Sequence, residues 1–215
     1  CANNLKQVVL GAINHESGKG YFPALNDGAP AGQINASYAF GVLANVLPYI
    51  EQGQLQNLID YTKPATLSGW RGDINPVHDA ACSTVVKTFL CPSDGQNPLF
   101  SNQTRAATPA TFATAGTNYV FNMGSGTATA SQVNYDSQFP TDGMFWYGSR
   151  LSYRDILDGS SNTLLASECL LGPGLPAPAN SARPASRNMS SMPAASASTQ
   201  TRPSGQSSSG RSSSR

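Results

Sequence analysis

The side chains able to do chemistry are few and scattered. Four cysteines (Cys1, Cys82, Cys91, Cys169) and two histidines (His15, His78) supply all the thiol and imidazole groups. Four cysteines allow three complete disulfide pairings. A Cys82–Cys91 bridge is disfavoured, because a helix expected across 82–90 would hold the two Cα atoms about 13 Å apart and a disulfide needs less than ~7 Å. The other pairings stay open, as does the alternative of four separate buried thiols. His78, Cys82 and Cys91 have the spacing His-x3-Cys-x8-Cys, without the paired short loops of structural zinc sites. His78 reads better as a surface histidine opening a helix. His15-Glu16 lacks a second histidine four residues on, so it is no metalloprotease motif.

Hard oxygen ligands gather at Asp155, Asp158, Ser160, Ser161 and Asn162. Asp155, Asp158 and Asn162 form a weak calcium candidate with few carboxylates for a full calcium loop. An Asx-type turn, with Asp158 and Asn162 bonding local backbone N–H groups before a strand, explains them better. For nucleophilic catalysis there is no Gly-x-Ser-x-Gly, and only the two histidines could serve as imidazole base. Cys91-Pro-Ser-Asp is not a redox Cys-x-x-Cys. Gly124-Ser-Gly-Thr lacks the lysine of a phosphate loop, and Arg71-Gly72-Asp73 reads as a coincidental loop triplet. Trp146 and Tyr147 could form an aromatic binding face, but a strand burying alternate aromatics is the simpler reading. The expectation is a non-enzymatic protein with no cofactor, no metal and no identifiable small-molecule substrate.

The elements that must position these residues follow from periodicity. Leu5, Val8, Val9, Ala12 and Ile13 make a 3.6-residue stripe, a helix expected to stop near Ser17-Gly18. Nothing caps it before Cys1, which suggests that its N-terminal part lies upstream. A second helical region spans Tyr38 to Ile59, with Ser37 as N-cap and a break at Pro48. A third is expected from Asp79 to Phe89, ended by Cys91-Pro92. Beyond Pro92 come short β-like runs at Tyr119–Phe121, Met144–Tyr147 and Thr163–Ala166, between turn-rich loops. Helices first and strands afterwards give an α+β domain.

Composition divides the chain. The whole is 39% hydrophobic and 12% charged with a net charge of +1, and no run approaches the 18 apolar residues of a membrane span. No overall basic excess suits nucleic acid. Residues 1–172 hold all twelve acids and eight Lys or Arg, whereas 173–215 hold no acid, five arginines, thirteen serines and no aromatic residue. The first part is large enough to fold alone. The second, rich in Ser, Arg, Pro and Ala, cannot bury enough surface to offset ordering and is expected to be disordered.

Four segments together resemble a known family: Cys1-Ala-Asn-Asn-Leu-Lys-Gln7, Leu47-Pro-Tyr-Ile-Glu-Gln52, Phe89-Leu-Cys-Pro-Ser-Asp94 and Asp158-Gly-Ser-Ser-Asn-Thr-Leu-Leu165. In this order they are similar to the prepilin-like proteins of unknown function expanded in planctomycete-type bacteria. Tyr21-Phe22-Pro23, Asn118-Tyr119 and Asp142-Gly143-Met144-Phe145 fit the same pattern. The resemblance implies a cleaved and methylated prepilin-type leader with a long apolar helix, of which residues 1–16 would be the head-side end. It implies a pilin-like fold, helix against antiparallel sheet, at the cell envelope. There the upstream segment would anchor the protein in the inner membrane or assemble it with pilus-like or type II secretion partners. Exported location favours disulfides, and Cys1–Cys91 becomes the first pair because both lie in family segments; Cys82–Cys169 is the weaker second. The competing reading is an exported module binding glycan or calcium through the aromatic run and the Asp158 loop.

The chain departs from the family after Glu168, where a closing His-x9-Asp-Gly signature is expected and no histidine follows His78. A Ser/Arg-rich replacement is what a shifted reading frame of GC-rich DNA yields. Translating the other two frames tests this.

Overall fold

The computed structural model describes residues 1–33, 36–67, 73–104, 111–124 and 142–172. The tail from 173, the Arg-Gly of the Arg-Gly-Asp triplet and most of the Gly124-Ser-Gly-Thr run lie outside them. Among the described residues the architecture is α+β, with one long N-terminal helix, short helices and two small antiparallel strand pairs.

Helix α1 runs Ala2–Lys19 and buries Val8, Gly11, Ala12 and His15, the i, i+3, i+4, i+7 line of a one-faced helix. Leu5 and Ile13 pack at the margin of that face. Gly11 lets the turn at 47–50 come close, since a Cβ there would stand 3.0 Å from the Ile50 side chain. The helix continues past the expected stop because the residue that reverses the chain is Gly20, at φ 81°, whose N–H bonds to the Glu16 carbonyl. Among the described residues no helix is long and apolar enough to cross a membrane.

The region 38–59 breaks at Pro48 as expected, but into shorter pieces. Helix α2 (Val42–Val46) passes into a 3-10 turn (Leu47–Ile50) with Pro48 in its first turn; α3 (Gly53–Gln56) follows. Glu51 separates them in a left-handed conformation, φ 62°. Ser37 caps no helix; it lies within the 3-10 turn Ala36–Tyr38.

The helix expected over 79–89 is mostly absent. Helix α4 covers only Asp79–Cys82. The hydroxyls of Ser83 and Thr84 both bond back to the Ala80 carbonyl, and the β-branched Thr84-Val85-Val86 run then leaves the helix for extended backbone. A 3-10 turn, Lys87–Phe89, follows. Val86 and Phe89 are buried and Val85 is exposed, so the apolar pattern served two different segments.

Strands β1 (Leu99–Thr104) and β2 (Thr111–Ala115) pair antiparallel, with an irregularity between Phe100 and Gln103. Strand β3 (Tyr119–Phe121) pairs antiparallel with β4 (Ala166–Glu168), Tyr119 opposite Glu168 and Phe121 opposite Ala166. The second pair confirms the 119–121 expectation and places the last strand at Ala166–Glu168 in place of Thr163–Ala166. Met144–Tyr147 is not a strand. Met144, Phe145 and Tyr147 are all buried, a run that strand alternation would not produce, and a turn closes it with Ser149 N–H on the Trp146 carbonyl.

The core joins α1 to both regions. Val8, Ala12, Phe22, Val46, Tyr119 and Phe145 are fully buried, and Phe145 meets Phe22 and Phe121 edge to face. At the end of α1 a disulfide joins Cys1 to Cys91, with Cα atoms 4.5 Å apart across 90 residues of sequence. Beside it, the buried Asn118 side chain accepts from Cys91 N–H (2.8 Å) and donates to the Cys169 carbonyl (2.9 Å) and Asp94 Oδ2 (2.8 Å). The Tyr119 hydroxyl donates to the Cys1 carbonyl at 2.9 Å.

Cys82 and Cys169 are half-buried and neither is in a disulfide, so the second pairing is not formed. The Cys169 thiol points toward the Thr117 carbonyl at 3.9 Å. Cys82 is not bridged to Cys91 either. The reason is that Cys91 is joined to Cys1, and not that a helix separates them, since α4 ends at Cys82.

Reduction with dithiothreitol, or Cys91→Ser, is expected to lower stability by about 2–4 kcal/mol. Asn118→Ala leaves buried backbone groups without partners, at about 1–3 kcal/mol each. Because both changes act on Cys91, the double variant is expected to lose less than the sum. Urea unfolding with and without reductant measures this; an unchanged midpoint on full reduction would refute the tether.

Candidate functional site

Asn122, the first residue after β3, joins the loops that border an open groove. Its carbonyl accepts from Met144 N–H and Phe145 N–H. Its side chain accepts from Gly124 N–H and donates to the Leu164 carbonyl. Three loops therefore meet at one residue. Gly143 is required there, because any Cβ would run into the backbone of Met123 and Gly124.

Between these loops lies an open groove of about 360 Å³, lined by Trp146, Leu157 and Leu164 and by Asp142, Asp155, Asp158 and Asn162 among others. The sequence cluster Asp155, Asp158, Asn162 thus comes together with the aromatic run at Trp146. Tyr147 does not join it: that ring is buried, with its hydroxyl donating to the Gln33 carbonyl.

Local bonds hold the acidic loop. Asp155 and Ser152 form a reciprocal cap on the 3-10 turn Tyr153–Asp155, with Asp155 Oδ2 accepting from Ser152 N–H (2.7 Å) and its hydroxyl (2.9 Å). Those two bonds hold the Asp155 carboxyl below its ordinary range. Asn162 donates to the Asp158 carbonyl at 2.8 Å, and the Thr163 hydroxyl donates to Asp158 Oδ1 at 3.1 Å. The turn is thus held by local side-chain bonds, but to a carbonyl and a hydroxyl and not to the backbone N–H groups that an Asx turn would use.

Metal ligation is poorly served there. Among the described residues, the group of His, Cys, Asp and Glu whose ligand atoms lie within 4.8 Å of one another is Cys1, Cys91 and Glu168. Its two sulfurs are consumed by the disulfide and are no thiolate ligands. Asp155 and Asp158 belong to no such group.

Both histidines are interior. His78 is buried at 4% exposure rather than on the surface, its Nε2 facing the Pro64 carbonyl at 3.2 Å and its ring edge-on to Phe40. Apolar Phe40 and the 60–64 turn close over it. His15 is buried on α1, with Nδ1 donating to the Tyr21 carbonyl (3.0 Å) and Nε2 3.6 Å from Asp27 Oδ2. Asp27, buried too, also accepts from Ala24 N–H and lies 3.8 Å from the exposed Arg150 guanidinium, which stacks over Tyr21. Asn26-Asp27-Gly28 has the composition of a turn, and nothing in the sequence pairs Asp27 with His15. The turn was the available signal; the long-range partners on α1 and at Arg150 have no signature in sequence.

Burial is the largest influence on the His15 imidazole and lowers its pKa below 6.5, with the Tyr21 carbonyl and Asp27 opposing and Lys19 and Arg150 reinforcing the shift. A depressed pKa means that the unfolded chain binds the proton first, so this contribution is full above pH 6.5 and is lost as pH falls through the lowered value. The Asp94 and Asp155 carboxyls, both lowered from 3.8, act in a separate, more acidic window. The melting temperature is expected to fall between about pH 7.5 and 5, with His15→Gln flattening that fall. Equal slopes in parent and variant would assign the loss to another group.

The family described as "Protein of unknown function (DUF1559)" matches residues 1–213. Comparison with curated proteins and with solved structures finds no significant match.

Proposed function

This chain belongs to that family of proteins of unknown function, and we propose that it is a non-enzymatic, pilin- or pseudopilin-like protein of the cell envelope, with α1 as its assembling element. The observation that carries the reading is the mounting of α1. Among the described residues it is the longest helix, 18 residues, set on one face against an α+β head and tied at its first turn by Cys1–Cys91. Its other face, with Lys6, Gln7, Leu10 and Asn14, is exposed, and Leu10 presents 43% of its surface. A helix fixed this firmly on one side and open on the other can pack against a neighbouring copy or an envelope partner without disturbing the head. The disulfide supports export, since such bonds persist in oxidising compartments.

The test is a photo-cross-linking amino acid at Leu10, with exposed Gln54 as the control position, introduced into the protein expressed in its own host. Cross-linked multimers, or adducts with another envelope protein, are expected from position 10 and not from 54. Recovery as an un-cross-linked monomer in the cytosol with Cys1 and Cys91 reduced would overturn the proposal.

A further inference from the structure

The groove beside Asn122 has properties that neither helix assembly nor the hydrogen bonding of the loops requires. Trp146 is only half-buried, and among the described residues its indole N–H has no acceptor, although its backbone is fully engaged with Ser149 and Leu25. Leu157, on the same groove, is 94% exposed and Leu164 is 59% exposed, apolar surface left in water at the rim. Asp155 and Asp158 each spend one carboxylate oxygen on local bonds and have no described partner for the other; the Asn162 amide oxygen is likewise uncommitted. The lining thus combines apolar faces, one indole donor and several acceptors in a volume within the range of small-molecule sites.

We propose that this groove binds a neutral oligosaccharide, with a sugar ring resting on Trp146 and its hydroxyls donating to Asp158 and Asn162. A sugar presents what this lining lacks. Its C–H faces cover aromatic and aliphatic surface, and its many hydroxyls donate to carboxylate and amide oxygens, which a carboxylate can only accept. Three carboxylates around the groove oppose an anionic ligand. A bound cation fits less well, because Asp155 and Asp158 do not converge with a third ligand group. The inference does not rest on the pilin-like reading: a head displayed on a fibre and a free exported protein could both carry the site.

The chain has two tryptophans, so Trp70→Phe in the full chain leaves Trp146 as sole indole reporter. Titration with cello-, malto-, chito- and mannohexaose is expected to give a saturating blue shift of its emission with at least one of them, at about micromolar to millimolar Kd. In the same background Asp158→Ala is expected to weaken binding about tenfold, while Asp158→Asn, which keeps an acceptor oxygen and removes the charge, stays within about threefold of the parent. Thermal melts of each variant confirm that the fold is retained, and calorimetry of Trp146→Ala checks the loss without the reporter. No shift with any of the four sugars would overturn the proposal. So would binding that is indifferent to both Asp158→Ala and Trp146→Ala. A shift produced by calcium chloride or hexalysine alone, and abolished by Asp158→Asn, would assign the groove to a cation or a basic peptide instead.

Discussion

The side chain of Asn118, fully buried, fastens Cys91 N–H, the Cys169 carbonyl and the Asp94 carboxylate at once. Its own backbone bonds to Phe89 and Cys169. An amide offers two donors and two acceptor lone pairs at fixed separation, so it sets the spacing of the segments it joins. Those segments are the entry to the β region, strand β3 and the strand that returns beside it. The Asp94 carboxylate also accepts from Leu171 N–H, which extends the clamp to the end of the described chain. Because Cys91 is held here, the disulfide fastens the first turn of α1 to the same point, and the next residue, Tyr119, adds its hydroxyl to the Cys1 carbonyl.

From this anchored end, the rest of α1 is held by packing. Val8, Gly11 and Ala12 lie against the 42–50 segment, and His15 closes the far end against Asp27. The two ends differ in kind. The first is covalent and hydrogen-bonded, with a shift in Asp94 that acts only in acid; the second is a buried imidazole whose burial makes it sensitive nearer neutrality. Helix α1 is therefore secured at Cys1 under conditions that load its other end. This asymmetry is compatible with the proposed assembly through the exposed face of α1.

The groove depends on the same strands at one remove. Strand β3 delivers Asn122, which ties the 142–149 loop and the 162–165 segment together. Trp146 and the acidic turn are thus brought to one groove, which Asn122 itself also lines. Several polar atoms there retain bonding capacity after the local turns are satisfied, whereas Asn118 is fully used. The bonded Asn118 arrangement serves stability, whereas the groove keeps the bonding capacity that the proposed ligand would use.

Local readings of the sequence were accurate where a single short-range force decides. The α1 stripe, the break at Pro48, the strand Tyr119–Phe121 and the turn at Asp158–Thr163 each follow from periodicity, a missing N–H or a side chain bonding its own neighbourhood. The Cys1–Cys91 pair was legible only through family resemblance, since nothing local connects residues so far apart. Readings failed where the environment chose between alternatives. The stretch 83–89 has a helical apolar pattern but β-branched residues that break it, and 144–147 has a strand composition but buries consecutive side chains in a loop. The sequence alone determined which residues are apolar, where the chain must turn and that an α+β body precedes a very different tail. Tertiary structure decided that His15 and His78 are interior, that Asp27 is a long-range partner and that Trp146 shares a groove with Asp155 and Asp158. Those relations depend on desolvation and on contacts between distant segments, and neither quantity exists until the chain has closed on itself.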